Sequence, residues 1–317
     1  MKIIYMGTSE FAVPALLALL DSDTYEVVAV VTQPDRPKGR GNKLAFSPVK
    51  ELAVQYPVPI LQPERIRRKA AMAELASFDA ALFVVASYGQ ILPEAILNMP
   101  RYGCINIHAS LLPKYRGSSP IQQAVLHGDA ESGVTIIQMD KGIDTGDMLL
   151  KRSIPIEPGE TSGGLHDKLA ALGALALLDV LPSLESGMLQ PVAQDETASS
   201  HAPMLTKEMG LIDWSHGARE IVCLVHGMNP WPYAYTIFDN KPLKLLQAEI
   251  CAWEKKAAPG TVLEASPKTG LIIMTGNGAL RVGEMQTQNG KRMRPEDYLR
   301  GHEIRVGTIL GRQSDGV

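Results

Sequence analysis

Cys104-Ile105-Asn106-Ile107-His108-Ala109-Ser110-Leu111-Leu112-Pro113-Lys114-Tyr115-Arg116-Gly117 decides the reading of this chain. It opens as an alternating apolar and polar run, then breaks into Pro, Lys, Tyr, Arg and Gly. Side chains alternate faces along a strand, so residues two apart share a face. Asn106 and His108 are therefore expected to point the same way at the carboxyl end of a strand, with Ile105 and Ile107 on the other face. An amide donor beside a titratable imidazole is what stabilising a developing oxyanion requires. Taken alone, a strand-end histidine is more often a packing residue. Here a carboxylate follows on a Gly-punctuated loop, Gln138-Met139-Asp140-Lys141-Gly142-Ile143-Asp144-Thr145-Gly146-Asp147, placed to orient the ring.

Outward from this stretch, apolar runs at 3–6, 27–32, 80–86 and 103–107 read as short buried strands. Helical patterns at 11–20, 48–55 and 64–77 separate them. Strands alternating with helices imply right-handed crossovers and a largely parallel sheet, an α/β architecture. Residues 134–138 and 148–154 add strands, and the Ala- and Leu-rich stretch 161–184 predicts a long helix capped by Thr161. The chain turns polar and irregular over 188–209, as a linker does. Beyond it come a helix at 218–226 and five short β-like segments at 233–238, 243–249, 261–264, 271–275 and 279–285. Short strands bounded by Gly, Pro or Asn suggest a small OB-like β-barrel. The expected division is 1–189, a linker over 190–207, and 208–317.

Length agrees, because 317 residues accommodate two domains of about 100–200 residues each. No apolar run approaches the roughly 20 residues needed to span a bilayer, and the opening Met1-Lys2-Ile3-Ile4-Tyr5 is too strand-like for a signal peptide. Cys104, Cys223 and Cys251 form no CxxC pair and leave an odd count. A disulfide framework and a zinc site are both disfavoured, and a reducing cytoplasm is expected. The histidines include no HExxH, so no catalytic metal is expected. A net charge of −3 argues against a general nucleic-acid coat.

Local exceptions exist. Residues 34–50 carry Arg36, Lys38, Arg40, Lys43 and Lys50 against Asp35 alone, with Gly39 and Gly41 between. This reads as a flexible basic loop, either a solvated turn or a grip on RNA phosphates. Lys291, Arg292 and Arg294 offer the same choice between phosphate contact and a solvated hairpin rim. Residues 64–69 read as an exposed helix face, and Trp214, Trp231 and Trp253 as packing residues. Gly7-Thr8-Ser9-Glu10-Phe11 stands where a phosphate loop would, but lacks the second glycine of a dinucleotide fingerprint; Ser9 or Thr8 is expected to cap a helix instead. No G-x-S-x-G elbow appears, so direct transfer without a covalent enzyme intermediate is the economical mechanism.

Asn-x-His followed by Ser-Leu-Leu-Pro-Lys-Tyr-Arg-Gly, then Asp-x-Gly-x-Asp-Thr-Gly, resembles the folate-dependent formyltransferases. Within that group, residues 3–14, 39–44 and 286–301 resemble the branch that acts on methionyl-tRNA. The resemblance implies a Rossmann-like N-terminal formyltransferase domain and an OB-like C-terminal tRNA-binding domain. It implies formyl transfer from 10-formyltetrahydrofolate to the α-amine of methionine on initiator methionyl-tRNA, in support of translation initiation, through a tetrahedral intermediate. Asn106, His108 and Asp144 would be catalytic, Asp144 because it matches the acid of the family motif. Ser110, Leu111, Leu112 and Pro113 would lie against the folate. Tyr88, Gly89, Gln90, Ile91 and Leu92, with the 138–144 loop and its Asp140, would form the pteridine slot; Asp140 itself reads as a structural carboxylate. Arg36, Lys38, Arg40 and Lys43 would meet the acceptor arm, and Lys291, Arg292 and Arg294 would add phosphate contacts. A monomer without metal is the expectation. The alternative is an amino-sugar nucleotide as acceptor, which shares the central motif; the basic 34–50 loop and Asp144-Thr145-Gly146-Asp147-Met148 favour tRNA.

Overall fold

Ile3, Ile4, Tyr5 and Met6 have no exposed surface, the burial that a strand covered on both faces requires. They belong to β1 (Lys2–Gly7), the third strand from one edge of a seven-stranded sheet in this computed structural model, which describes residues 1–38 and 43–311. The chain divides into two compact units. Unit 1 comprises Met1–Pro120, Ser132–Ile154 and His166–Ala202; unit 2 comprises Ile121–Glu131, Pro155–Leu165 and Pro203–Val317.

In chain order, β1 is followed by α1 (Val13–Leu20), β2 (Glu26–Val31), the hairpin strands β3 (Arg36–Lys38) and β4 (Lys43–Ala45), α2 (Pro48–Ala53) and β5 (Ile60–Leu61). Then come α3 (Lys69–Ala76), β6 (Leu82–Ala86), α4 (Glu94–Leu97), β7 (Cys104–His108), β8 (Arg116–Gly117) and α5 (Pro120–Leu126). The strands β9 (Glu131–Gln138) and β10 (Met148–Pro155), the long helix α6 (Ser162–Glu185) and the short β11 (His201–Ala202) follow. The large sheet has the order β10-β9-β7-β6-β1-β2-β5. The five strands β5, β2, β1, β6 and β7 run parallel, and β9 joins β7 antiparallel. The order reverses at β1, whose neighbours are β2 and β6. In open parallel sheets such a reversal opens a crevice at the carboxyl ends of the strands, where ligands bind.

Three local expectations change. Residues 64–68 are not helical, because the Ile66 amide donates to the Gln90 side chain at 2.8 Å and Ile66 itself is buried in the core. Gln90 also donates to the Pro63 carbonyl at 3.0 Å, so its amide ties the segment down at two points. Ser9 makes no capping bond, and Thr8 donates instead to the Tyr88 carbonyl at 2.8 Å, joining the loops after β1 and β6. The basic 34–50 segment contains an antiparallel pair, Arg36 opposite Ala45 and Lys38 opposite Lys43.

Unit 2 carries α7 (Ala218–Gly227), β12 (Ala234–Phe238), β13 (Lys241–Cys251), β14 (Val262–Ser266), β15 (Gly270–Met274), β16 (Ala279–Thr287) and α8 (Pro295–Tyr298). Its antiparallel sheet runs β12-β13-β16-β15-β14. The chain end bridges the two edges: Gly307 and Leu310 donate to Val262 and Gly260, while Gly311 donates to Ile237. Pairing both edges is how a small barrel avoids exposing strand edges. Trp214 is buried inside this core, its indole N–H donating to Thr236 at 2.9 Å. Trp231, by contrast, is 53% exposed and does not serve as packing.

Within unit 1, α6 crosses the face of β7 closely. A Cβ at Gly173 would lie 2.9 Å from the Cγ2 of Ile107, a stiff β-branched side chain that is itself buried. Gly173→Leu should therefore destabilise by about 1–3 kcal/mol through overpacking. Thermal denaturation should show a midpoint lowered by several degrees, at about 2–4 °C per kcal/mol for a unit of this size.

Candidate active site

The alternation of β7 sends Ile105 and Ile107 into the core and leaves Asn106 and His108 on the opposite face, as its sequence requires. Asn106 sits beside Val85 of β6 and opposite Ile137 of β9; His108 lies opposite Thr135. The Asn106 amide donates to Oδ1 of Asp144 at 3.2 Å. His108 Nδ1 lies 3.5 Å from Oδ2 of Asp144. Its Nε2 lies 2.9 Å from the carbonyl oxygen of Tyr115. A carbonyl oxygen only accepts, so Nε2 carries its hydrogen, and the other ring nitrogen faces a carboxylate. The ring thus has an oxygen acceptor beside each nitrogen. His108 is 5% exposed, which shields these contacts from water.

Both flanking residues have left-handed backbones, φ 62° at Tyr115 and φ 55° at Asp144. Such conformations cost about 1–3 kcal/mol in non-glycine residues and persist where neighbours enforce them. The Gly117 amide donates to Oδ2 of Asp144 at 2.9 Å. The Gln194 side-chain amide donates to the carbonyls of Asp144 and Gly146, at 2.8 and 2.7 Å. Its oxygen accepts from Nε of Arg116 at 2.9 Å. Arg116 also forks onto Glu196 with bonds of 2.9 and 2.8 Å. The guanidinium holds the Glu196 carboxyl below the usual range, and Glu196 in turn raises Arg116. The Tyr115 amide donates to the Ser200 hydroxyl at 2.9 Å. Gln194, Glu196 and Ser200 were invisible as site residues in the sequence, where they sat in a polar stretch with the character of a linker.

Asp140 holds its own loop: its carboxylate accepts from the Gly142 amide at 3.0 Å and the Thr145 hydroxyl at 2.7 Å. Ser110 is buried; its hydroxyl donates to the Lys114 carbonyl and its carbonyl accepts from Thr135, each at 2.7 Å. Leu112 is fully buried, its amide donating to Thr135, while Leu111 and Pro113 are half-buried. On the loop after β6, Tyr88 and Leu92 are buried in the core, Gly89 turns the chain at φ 88°, and Ile91 is 80% exposed. The Tyr88 hydroxyl is buried without a hydrogen-bond partner, and burial raises it well above the ordinary phenol range.

The candidate RNA contacts fall in both units. Arg36 is exposed at the start of β3; Lys38 and Lys43 lie on β3 and β4, and Arg40 falls outside the described residues. In unit 2, Lys291 and Arg294 are exposed, and Arg292 pairs with Glu284. Met293 bridges back to Met285, so this stretch does form a rim along β16.

Among the described residues, no group of three or more His, Cys, Asp and Glu could hold a metal ion, and no helix is long and apolar enough to cross a membrane. Cys104 shares β7 but is no nucleophile: burial pushes its thiol up to about 12, and its sulfur faces the Ile96 carbonyl.

Residues 1–181 match the formyl transferase family, and residues 204–303 match the formyl transferase C-terminal domain. Methionyl-tRNA formyltransferase from Caldanaerobacter subterraneus is 50% identical over 98% of this chain and the whole of that protein. Its counterpart from Geobacter metallireducens is 46% identical over 98% of this chain and 99% of that protein. Among solved structures, the sugar 3N-formyl transferase WlaRD covers 92% of this chain and 99% of its own, with a TM-score of 0.66 at 19% identity. HypX from Aquifex aeolicus, solved with tetrahydrofolic acid, covers 97% of this chain and 50% of its own, with a TM-score of 0.63 at 18% identity. These two likenesses are of fold alone. Because the two domains match in order and about half of all positions agree over nearly the full length with relatives of that name, the chain belongs to the methionyl-tRNA formyltransferases.

Proposed function

We propose that the protein transfers the formyl group of 10-formyltetrahydrofolate to the α-amine of methionine on initiator methionyl-tRNA, for translation initiation in the cytoplasm. The observation that carries the chemistry is the contact of Asn106, His108 and Asp144 at the carboxyl ends of the strands. The amine nitrogen bonds to the formyl carbon and the carbonyl oxygen takes the negative charge. The Asn106 amide has two N–H groups and spends one on Asp144, leaving the other for that oxygen. His108 turns its Nδ1 hydrogen from a 3.5 Å contact toward the same oxygen; such contacts are commonly long before substrate binds. Asp144 accepts the amine's proton, directly or through water. The oxyanion then reforms the carbonyl as the bond from the formyl carbon to the folate nitrogen breaks, and that nitrogen leaves with the proton that Asp144 had accepted. No enzyme nucleophile takes part, in keeping with the inert Cys104.

The crevice where strand order reverses suits the pteridine. The exposed turn at Gly89 offers backbone for hydrogen bonds, and Ile91 beside it is an exposed apolar side chain against which a ring can lie. Val85 of β6 neighbours Asn106, so a ring held there presents its formyl group to the trio. An amino-sugar nucleotide is disfavoured as acceptor: the sugar enzymes share 18–19% identity with this chain, against 45–50% for the tRNA enzymes. The three free cysteines fit a reducing compartment.

Formyl transfer to methionyl initiator tRNA, followed with the wild type and His108→Ala, tests this function. The variant should lose about a hundredfold or more in kcat with KM little changed, the mark of an interaction made in the transition state. Transfer to a nucleotide sugar but not to tRNA would overturn the acceptor.

The hairpin makes a separate claim. Replacing Arg36, Lys38, Arg40 and Lys43 together by Ala should weaken tRNA binding and flatten its salt dependence, by about 0.7–0.9 logarithmic units for each phosphate no longer neutralised. Filter binding across a salt series measures the slope; an unchanged slope removes the hairpin from the interface.

A further inference from the structure

We infer that residues 190–202 form a strap that positions the active site, with Gln194 as its principal positioning residue. The inference rests on the roles proposed above for Asn106, His108 and Asp144. The segment is fixed to unit 1 at both ends by backbone bonds. At its start Val192 and Met148 exchange a pair, at 2.9 and 2.8 Å. At its end β11 pairs in parallel with β8, the Arg116 amide donating to Ser200 and the Ser118 amide to Ala202, each at 2.8 Å. Between these anchors Asp195 accepts from the Thr197 amide at 2.9 Å and steadies a single tight turn. A connector whose only task is to reach the next domain needs none of this.

The strap addresses both residues that flank the imidazole. Gln194 spends both amide hydrogens on the backbone of the acid's loop, one on Asp144 and one on Gly146. Its orientation is unambiguous, since carbonyls only accept and the Arg116 Nε only donates. Ser200 holds the amide of Tyr115, whose carbonyl is the other partner of the ring. Glu196 occupies the fork of Arg116, a cation that would otherwise compete for the nearby carboxylates of Asp140 and Asp144. The strap thus sets the carboxylate from one side, the carbonyl from the other, and keeps the neighbouring cation engaged.

Gln194→Ala and Gln194→Glu test this. Gln194 is only half-buried, so neither change threatens the fold. The Glu variant keeps the size and the acceptor for Arg116 but loses both donated bonds. Formyl transfer should fall about tenfold to a hundredfold in kcat, as for a slight misplacement of reacting groups, with KM for both substrates unchanged within about twofold. Amide exchange, read by NMR in the full-length protein, supplies a second measurement independent of activity. The Gly117 amide donates to the Asp144 carboxylate and should exchange about tenfold faster in the variants. The amides of Arg116 and Ser118 donate to strap backbone and should keep their protection. A kcat within twofold of the wild type overturns the proposal. So does an equal loss of protection at Arg116, Gly117 and Ser118, which would mark Gln194 as a fastener of the strap alone. If the wild type itself transfers no formyl group, the proposed function fails, and the exchange pattern still decides whether Gln194 fixes the carboxylate.

Discussion

One imidazole held between a carbonyl and a carboxylate is the constraint on which the rest of unit 1 turns. For His108 to meet both acceptors, the Tyr115 carbonyl and the Asp144 carboxylate must approach its ring from different segments, one following β7 and the other following β9. The sheet makes the first approach possible. Pairing β9 antiparallel to β7 puts the loop after β9 at the end of β7 where that strand begins, yet Asp144 lies by its far end. The loop of residues 139–147 therefore has to travel back along the site. Gln138 and Asp147 close its base with a 2.9 Å bond, Asp140 braces it internally, and Gly146 fits where any side chain would overlap the Gln138 carbonyl.

Much of this was written in the sequence in terms of period and face. The alternation at Cys104–His108 placed Asn106 and His108 together, and the apolar runs marked the strands of both sheets, the two-residue β5 excepted, within a residue or two of most of their ends. The five strands of unit 2 came from Gly, Pro and Asn punctuation, which is local chemistry. What stayed hidden depended on contacts distant in sequence. Gln90 holds residues 64–68 out of the helix their pattern suggested. Thr8 caps nothing because Tyr88, eighty positions later, takes its hydroxyl. Gln194 and Ser200 carry no periodic signal, since one side chain bonding a backbone carbonyl fifty residues away leaves no trace in hydropathy. The 190–202 stretch is polar and punctuated like any linker; only its partners distinguish it.

The backbone at the site shows why several fastenings are needed. Two non-glycine residues in left-handed conformation cost about 1–3 kcal/mol each, with Asp at the lower end because its short polar side chain tolerates that region. A neutral hydrogen bond returns about 0.5–1.5 kcal/mol, and one to a charged group about 1.5–3 kcal/mol. No single bond offsets the pair. Asp144 receives two bonds at its carboxylate and one at its carbonyl; Tyr115 receives one at its carbonyl and makes one from its amide. Together these exceed the conformational cost by a few kcal/mol, and all but two come from outside the strap. The excess is small, so a site of this kind holds its geometry only while most of its partners are in place. That is a reason for the chain to return from α6 to the loops after β7 and β9 before leaving unit 1: Tyr115 and Asp144 are in conformations that their own segments do not favour, and residues 190–202 supply two of the five bonds that hold them.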